Sequence, residues 1–70
     1  MTTSAFSQLA PKNQMDYLQK TAILIHRLVK GDIIVSLYWS QDFIFEVLNP
    51  KDEVMKFEIK CFDRFKYVHS

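Results

Sequence analysis

The stretch that decides the fold is TAILIHRLVKGDIIVSLYWSQDFIFEVLNPKDEVMKFEI, residues 21–59. Its runs of Ile, Val, Leu, Phe, Tyr and Trp are separated by short sets of turn formers, Gly31-Asp32, Ser40-Gln41-Asp42 and Pro50-Lys51-Asp52, the pattern of an antiparallel meander. Gly31-Asp32 suits a two-residue type II′ hairpin, in which the first turn residue needs a positive φ that glycine takes freely. That turn pairs Lys30 with Ile33 and Arg27 with Ser36. A three-residue Ser40–Asp42 connection then sets Trp39 opposite Phe43 and Ser36 opposite Glu46. A Pro50–Asp52 loop, with proline barred from the ladder, sets Asn49 opposite Glu53 and Glu46 opposite Lys56.

Alternation of side chains sorts these registers into two faces. One carries Leu24, Leu28, Val35, Leu37, Trp39, Phe43, Phe45, Val47, Met55, Phe57, Ile59 and Cys61, interrupted by His26, and reads as the core. The other carries Ile23, Ile25, Val29, Ile34, Tyr38, Ile44, Leu48 and Val54, crossed by a polar row of Arg27, Ser36, Glu46 and Lys56. That second face is too apolar for a merely wetted surface.

Upstream of the meander, Phe6 and Leu9 are spaced to touch one surface. Pro11 suits the first position of a helix, where its missing N–H is no loss. Met15 and Leu18 then share one side of that helix. The sequence therefore predicts an α+β fold: a helical segment over about 5–20 packed on a four-stranded antiparallel meander over about 22–30, 33–39, 43–49 and 53–62. The alternative is one long helix over 11–30 plus three strands, since Leu18, Ala22, Ile25 and Val29 also recur at helical spacing and Gly31 suits a C-cap. Against it stand the β-branched residues at 21, 23, 25 and 29. The tail from Cys61 to Ser70 is expected to continue the last strand or to end irregularly.

Composition sets the outer bounds. Seventy residues make one domain over 1–70, and a chain this short buries only roughly 60% of its unfolded surface, which favours self-association. A net charge of +1 provides little long-range field for nucleic acid or a membrane surface. A lone cysteine, Cys61, points to a reducing cytoplasm. The N-terminal residues show neither a basic nor an apolar leader region, and no apolar run reaches membrane-spanning length.

Tyr17-Leu18, Arg27, Gly31, Leu37-Tyr38 and Phe43-Ile44-Phe45-Glu46-Val47 followed by Pro50 together resemble a group of small uncharacterised bacterial proteins with an N-terminal helix followed by a β-meander. The resemblance covers about residues 9–62. It implies the α-then-β order and no activity.

Reaction motifs are absent. With Gly31 the only glycine, neither a phosphate-cradling loop nor a dinucleotide fingerprint is available. His26 and His69 lie far apart in sequence and there is no second cysteine, so neither a metal site nor a cofactor is expected. Ser36 has no histidine on its face to act as a base, so a serine nucleophile is unsupported. His26, on the core face, reads most simply as a neutral histidine near the sheet edge. Cys61 reads as a small buried apolar group.

The expected function is that of a small non-catalytic module, a homodimer or protein-binding unit using the second sheet face. Its candidate interface comprises Ile25, Arg27, Ile34, Tyr38, Ile44, Glu46, Leu48 and Lys56. The alternative is a nucleic-acid-binding accessory protein whose last strand and tail present Lys60, Phe62, Arg64, Phe65, Lys66 and Tyr67, basic groups interleaved with stacking aromatics. Glu58 and Asp63 interrupt that charge.

Overall fold

A computed structural model describes residues 1–53 and 56–69. Two short helices lead into the meander: α1 (Thr3–Ser7) and α2 (Pro11–Thr21). Thr2 caps α1, its Oγ1 accepting the Ala5 N–H at 3.0 Å. Pro11 opens α2 after an extended Ala10, the placement its missing N–H favours. The strands are β1 (Ile23–Lys30), β2 (Ile33–Trp39), β3 (Phe43–Pro50) and β4 (Glu58–Asp63), followed by α3 (Arg64–His69). They form one antiparallel sheet in the order β1-β2-β3-β4.

The long-helix alternative over 11–30 does not form. Thr21 Oγ1 donates to the Tyr17 carbonyl at 2.7 Å and the Ala22 N–H to the Leu18 carbonyl at 2.9 Å, closing α2 at its last turn. Ala22 is already extended, and the β-branched run beyond it pairs with β2.

Gly31 has φ +59 and is the sole positive-φ residue among those described, as a II′ turn requires. Lys30 pairs with Ile33 and Arg27 with Ser36, as expected from the turn. The register then shifts at a β-bulge, with Leu24 opposite Tyr38 and His26 opposite Leu37, so that Ile25 is the extra residue. Bulges of this kind are common at sheet edges.

The next two hairpins correct the sequence reading. Ser40 is itself a ladder residue, because its N–H donates to the Phe43 carbonyl at 2.9 Å and its Oγ accepts the Phe43 N–H at 3.0 Å. The loop is therefore Gln41-Asp42 alone. Trp39 pairs with Ile44 and Ser36 with Val47, one step from the expected register. A one-residue slip exchanges faces, so β2 and the His26–Lys30 part of β1 present their side chains opposite to the expectation relative to β3, while the bulge returns Ile23 and Leu24 to their expected faces. The connection after β3 runs longer than Pro50–Asp52: the Glu53 N–H donates to the Pro50 carbonyl at 3.3 Å and the Lys56 N–H to the Glu53 carbonyl at 3.0 Å. Consequently β4 begins at Glu58 rather than near 53, and Glu46 pairs with Lys60 rather than Lys56.

The core lies between the first two helices and one face of β3 and β4. Phe6, Leu18, Phe43, Phe45 and Val47 are buried there, with Leu9, Met15, Tyr17, Tyr38, Ile59 and Cys61 packed against them. Phe45 is its centre, its ring 5.1 Å from that of Phe6, 6.0 Å from Phe43 and 6.5 Å from Tyr17. Pairs of this geometry add roughly 0.5–1.5 kcal/mol each to simple area burial.

The other face carries Ile23, His26, Leu28, Val35, Leu37 and Trp39 from the first hairpin and Ile44, Glu46, Leu48, Lys60 and Phe62 from the second, by the observed pairing. The tail, expected to be extended or irregular, is helical, because Asp63 Oδ1 accepts the N–H groups of Phe65 (3.0 Å) and Lys66 (3.2 Å) and so starts α3. α3 lies against β3 and β4. At that end Ile44, in register between Trp39 and Phe62, is fully buried although it stands outside the core cluster.

Candidate functional site

The helices that build the core reach β3 and β4, and β1 makes its principal contact with β2 alone. β1 is thus an edge strand with neither face covered. Every one of its residues is exposed, including Ile23 (68%), Leu24, Ile25, Leu28 and Val29 (53%). Ile33 across the first turn is exposed as well. Scattered exposed aliphatics need no explanation, but an apolar eight-residue edge carries a row of unpaired peptide groups and is a template for another strand. Arg27, Lys30 and the bulge at Ile25 are the features that moderate it.

The candidate interface residues do not share one face. Arg27, Ile34 and Tyr38 lie on the core side, with Tyr38 packed against the core cluster. Glu46 and Leu48 lie on the opposite side, half-buried, and Ile44 beside them is fully buried. Ile25 is exposed at the bulge. The polar row is broken into two pairs and a loop contact. Arg27 Nε donates to Ser36 Oγ at 3.2 Å, which satisfies a serine that is only 4% exposed. Glu46 faces Lys60 on the other side of the sheet, and Lys56 reaches Glu53 at 3.0 Å within the loop. That last pair is solvent-exposed and contributes little to stability.

The basic and aromatic residues of the tail are divided by the strand-to-helix change. Lys60 and Phe62 belong to β4, whereas Arg64, Phe65, Lys66 and Tyr67 belong to α3. Arg64 is committed to the fold: its guanidinium stacks 4.4 Å from the centre of the Trp39 ring and donates to the carbonyls of Ser40 (3.3 Å) and Gln41 (3.5 Å). Phe65 and Lys66 are exposed. An open cleft of about 810 Å³ lies here, lined by Trp39, Asp42, Asp63, Arg64 and Lys66 among others. Arg64 and Asp63 in its wall serve the turn and the start of α3. A second, apolar cleft of about 460 Å³ lies at the other end of the sheet among Pro11, Ile33, Leu48, Pro50 and Phe57.

His26, expected on the core face, is exposed on the other one, a direct result of the one-residue step between β2 and β3. Cys61 is half-buried against the core, and burial pushes its thiol up to about 11. A neutral thiol is a poor nucleophile. Among the described residues no group of three or more His, Cys, Asp or Glu is placed to hold a metal ion, and no helix is long and apolar enough to cross a membrane. No family model, curated protein or solved structure matches the chain. Ile25 and Arg27 of the candidate interface lie on the exposed β1 edge, and Ile23, Leu24, Leu28 and Val29 stand beside them on the same strand, a grouping that follows from an edge and not from a single face.

Proposed function

We propose that the chain is a small non-catalytic module that homodimerises or binds a protein partner through its sheet, with β1 as the element of contact. The observation that carries this reading is the exposure of all of β1, five of whose residues are large aliphatics. Addition of a strand to such an edge is a recurring mode of protein recognition, in which peptide hydrogen bonds supply affinity and side chains specificity. The proposal includes a bacterial cytoplasmic setting, supported by the single cysteine and by the resemblance to small bacterial proteins.

Light scattering behind a sizing column, over a dilution series, tests the reading together with capture on the immobilised chain. The parent is expected to exceed its 8.3 kDa monomer mass or to retain a partner, and Ile23→Lys with Val29→Lys to lose that association while staying folded. A parent that is monomeric throughout and retains nothing overturns it.

A further inference from the structure

We infer that the partner at β1 is β1 of a second copy, paired antiparallel about a two-fold axis at Leu28, so that two four-stranded sheets become one of eight. This rests on the interaction reading above and adds the occupant and the register.

The backbone restricts the register first. The Lys51 N–H donates to the Asp32 carbonyl at 2.8 Å, so the peptide groups of Asp32 turn toward β3. Bonding direction alternates along a strand, which turns Ile34, Ser36 and Tyr38 toward β3 and Ile33, Val35 and Leu37 toward β1. Their partners Lys30, Leu28 and His26 bond inward. The peptide groups of Arg27 and Val29 consequently point away from β2 along the free edge. The bulge at Ile25 interrupts the strand upstream of His26, and Lys30 leads into the turn. The straight edge is therefore His26–Lys30, and its midpoint is Leu28.

Symmetry restricts it further. A two-fold axis between adjacent antiparallel strands is perpendicular to the sheet and keeps each side chain on its own face, so it passes through a residue paired with itself. Centred on Leu28, Arg27 pairs with the partner's Val29 and Val29 with the partner's Arg27. Both are hydrogen-bonded pairs, so every outward peptide group of the straight edge is used. Charge selects the same register. Centring on Arg27 sets two guanidinium groups directly opposite, which is destabilising, whereas centring on Leu28 sets Arg27 against an aliphatic side chain and Lys30 against His26. The exposed Leu28 then meets its own copy at the axis. Edge pairing also shields both faces of β1 at once, which packing of one sheet face would not do. The contact is small against the roughly 1,200 Å² of standard interfaces, so the dimer is expected to dissociate on dilution.

The test is site-directed cross-linking in a Cys61→Ala background, alongside light scattering. Opposed residues of a non-hydrogen-bonded antiparallel pair have Cα atoms about 4.5 Å apart, within disulfide range. Leu28→Cys is expected to form a linked dimer on mild oxidation at least ten-fold faster than His26→Cys or Lys30→Cys, whose copies lie roughly 13 Å apart by strand rise. Val29→Pro removes an outward N–H without touching the β1–β2 ladder. It is expected to be monomeric where the parent is dimeric, with the parent's circular dichroism. A dimeric parent without the Leu28→Cys preference overturns the pairing and leaves the interaction reading intact. A monomeric parent overturns the pairing too, and the interaction reading falls with it only if capture on the immobilised chain also fails.

Discussion

Ile44 and Ile25 show how far one side chain type diverges by position. Both are isoleucines of the apolar stretch, yet Ile44 is fully buried under the α3 end of the sheet and Ile25 sits exposed on the bulge. Truncating a fully buried isoleucine to alanine costs about 2–5 kcal/mol, and truncating an exposed one stays within about 0.5 kcal/mol. Urea unfolding of Ile44→Ala and Ile25→Ala at low protein concentration is expected to show that contrast; equal losses would contradict the placement of Ile44. Cys61 offers a second residue-scale prediction. Its thiol is raised from an ordinary 9.0 to about 11 by burial, so the folded state holds the proton more tightly than the unfolded one. The stability this supplies is fully present below about pH 9 and is lost as pH rises through about 11. Between those values the urea midpoint of the parent is expected to fall further than that of Cys61→Ala.

Among the elements, the two-residue hairpins are built differently. The first relies on backbone freedom at Gly31, where an added Cβ would meet nothing within 4 Å but φ is +59. Gly31→Ala is therefore expected to cost about 1–2 kcal/mol through left-handed strain alone, read from the shift in denaturation midpoint. The second turn has no glycine. It is held by the Ser40 hydroxyl and, from far along the chain, by Arg64, whose N–H and guanidinium bond the carbonyls of Ser40, Gln41 and Asp42. Arg64→Ala should raise amide exchange through the β2–β3 turn and leave the β1–β2 turn unaffected. Unchanged exchange there would mean the turn stands without its tether.

At the scale of the whole molecule, the helices are spent on one half of the sheet. With α1 and α2 seated over the core side of β3 and β4 and α3 lying against the same two strands, β1 projects uncovered. A chain of this size has too little core to cover both halves. Self-association would couple folding to concentration. The melting temperature of the parent is expected to rise over a hundred-fold concentration increase, while that of the Ile23→Lys, Val29→Lys variant stays constant. A parent whose melting is independent of concentration would contradict the dimer.

Local chemistry alone determined much of this protein. Alternating apolar runs and their turn residues made four antiparallel strands legible, Pro11 marked the start of α2, Phe6 and Leu18 announced themselves as core, and Gly31 set the first hairpin together with the Arg27 and Ser36 pair. Those features depend on neighbours a few residues away, and so are written in the order of the chain. What only the tertiary structure decided was which side of the first hairpin faces the helices, where β4 begins, and that the tail coils into α3. Each hangs on a contact that the chain order does not display: a serine hydroxyl completing a ladder pair at Ser40, the backbone bonds of Glu53 and Lys56 after Pro50, and an arginine reaching back to a distant turn. Because side chains alternate with every residue, one ladder step exchanges the faces. That single step set Trp39 beside Ile44 and turned Leu28, Val35 and Leu37 away from the helices, while β1, an edge rather than a face, kept its aliphatic side chains exposed.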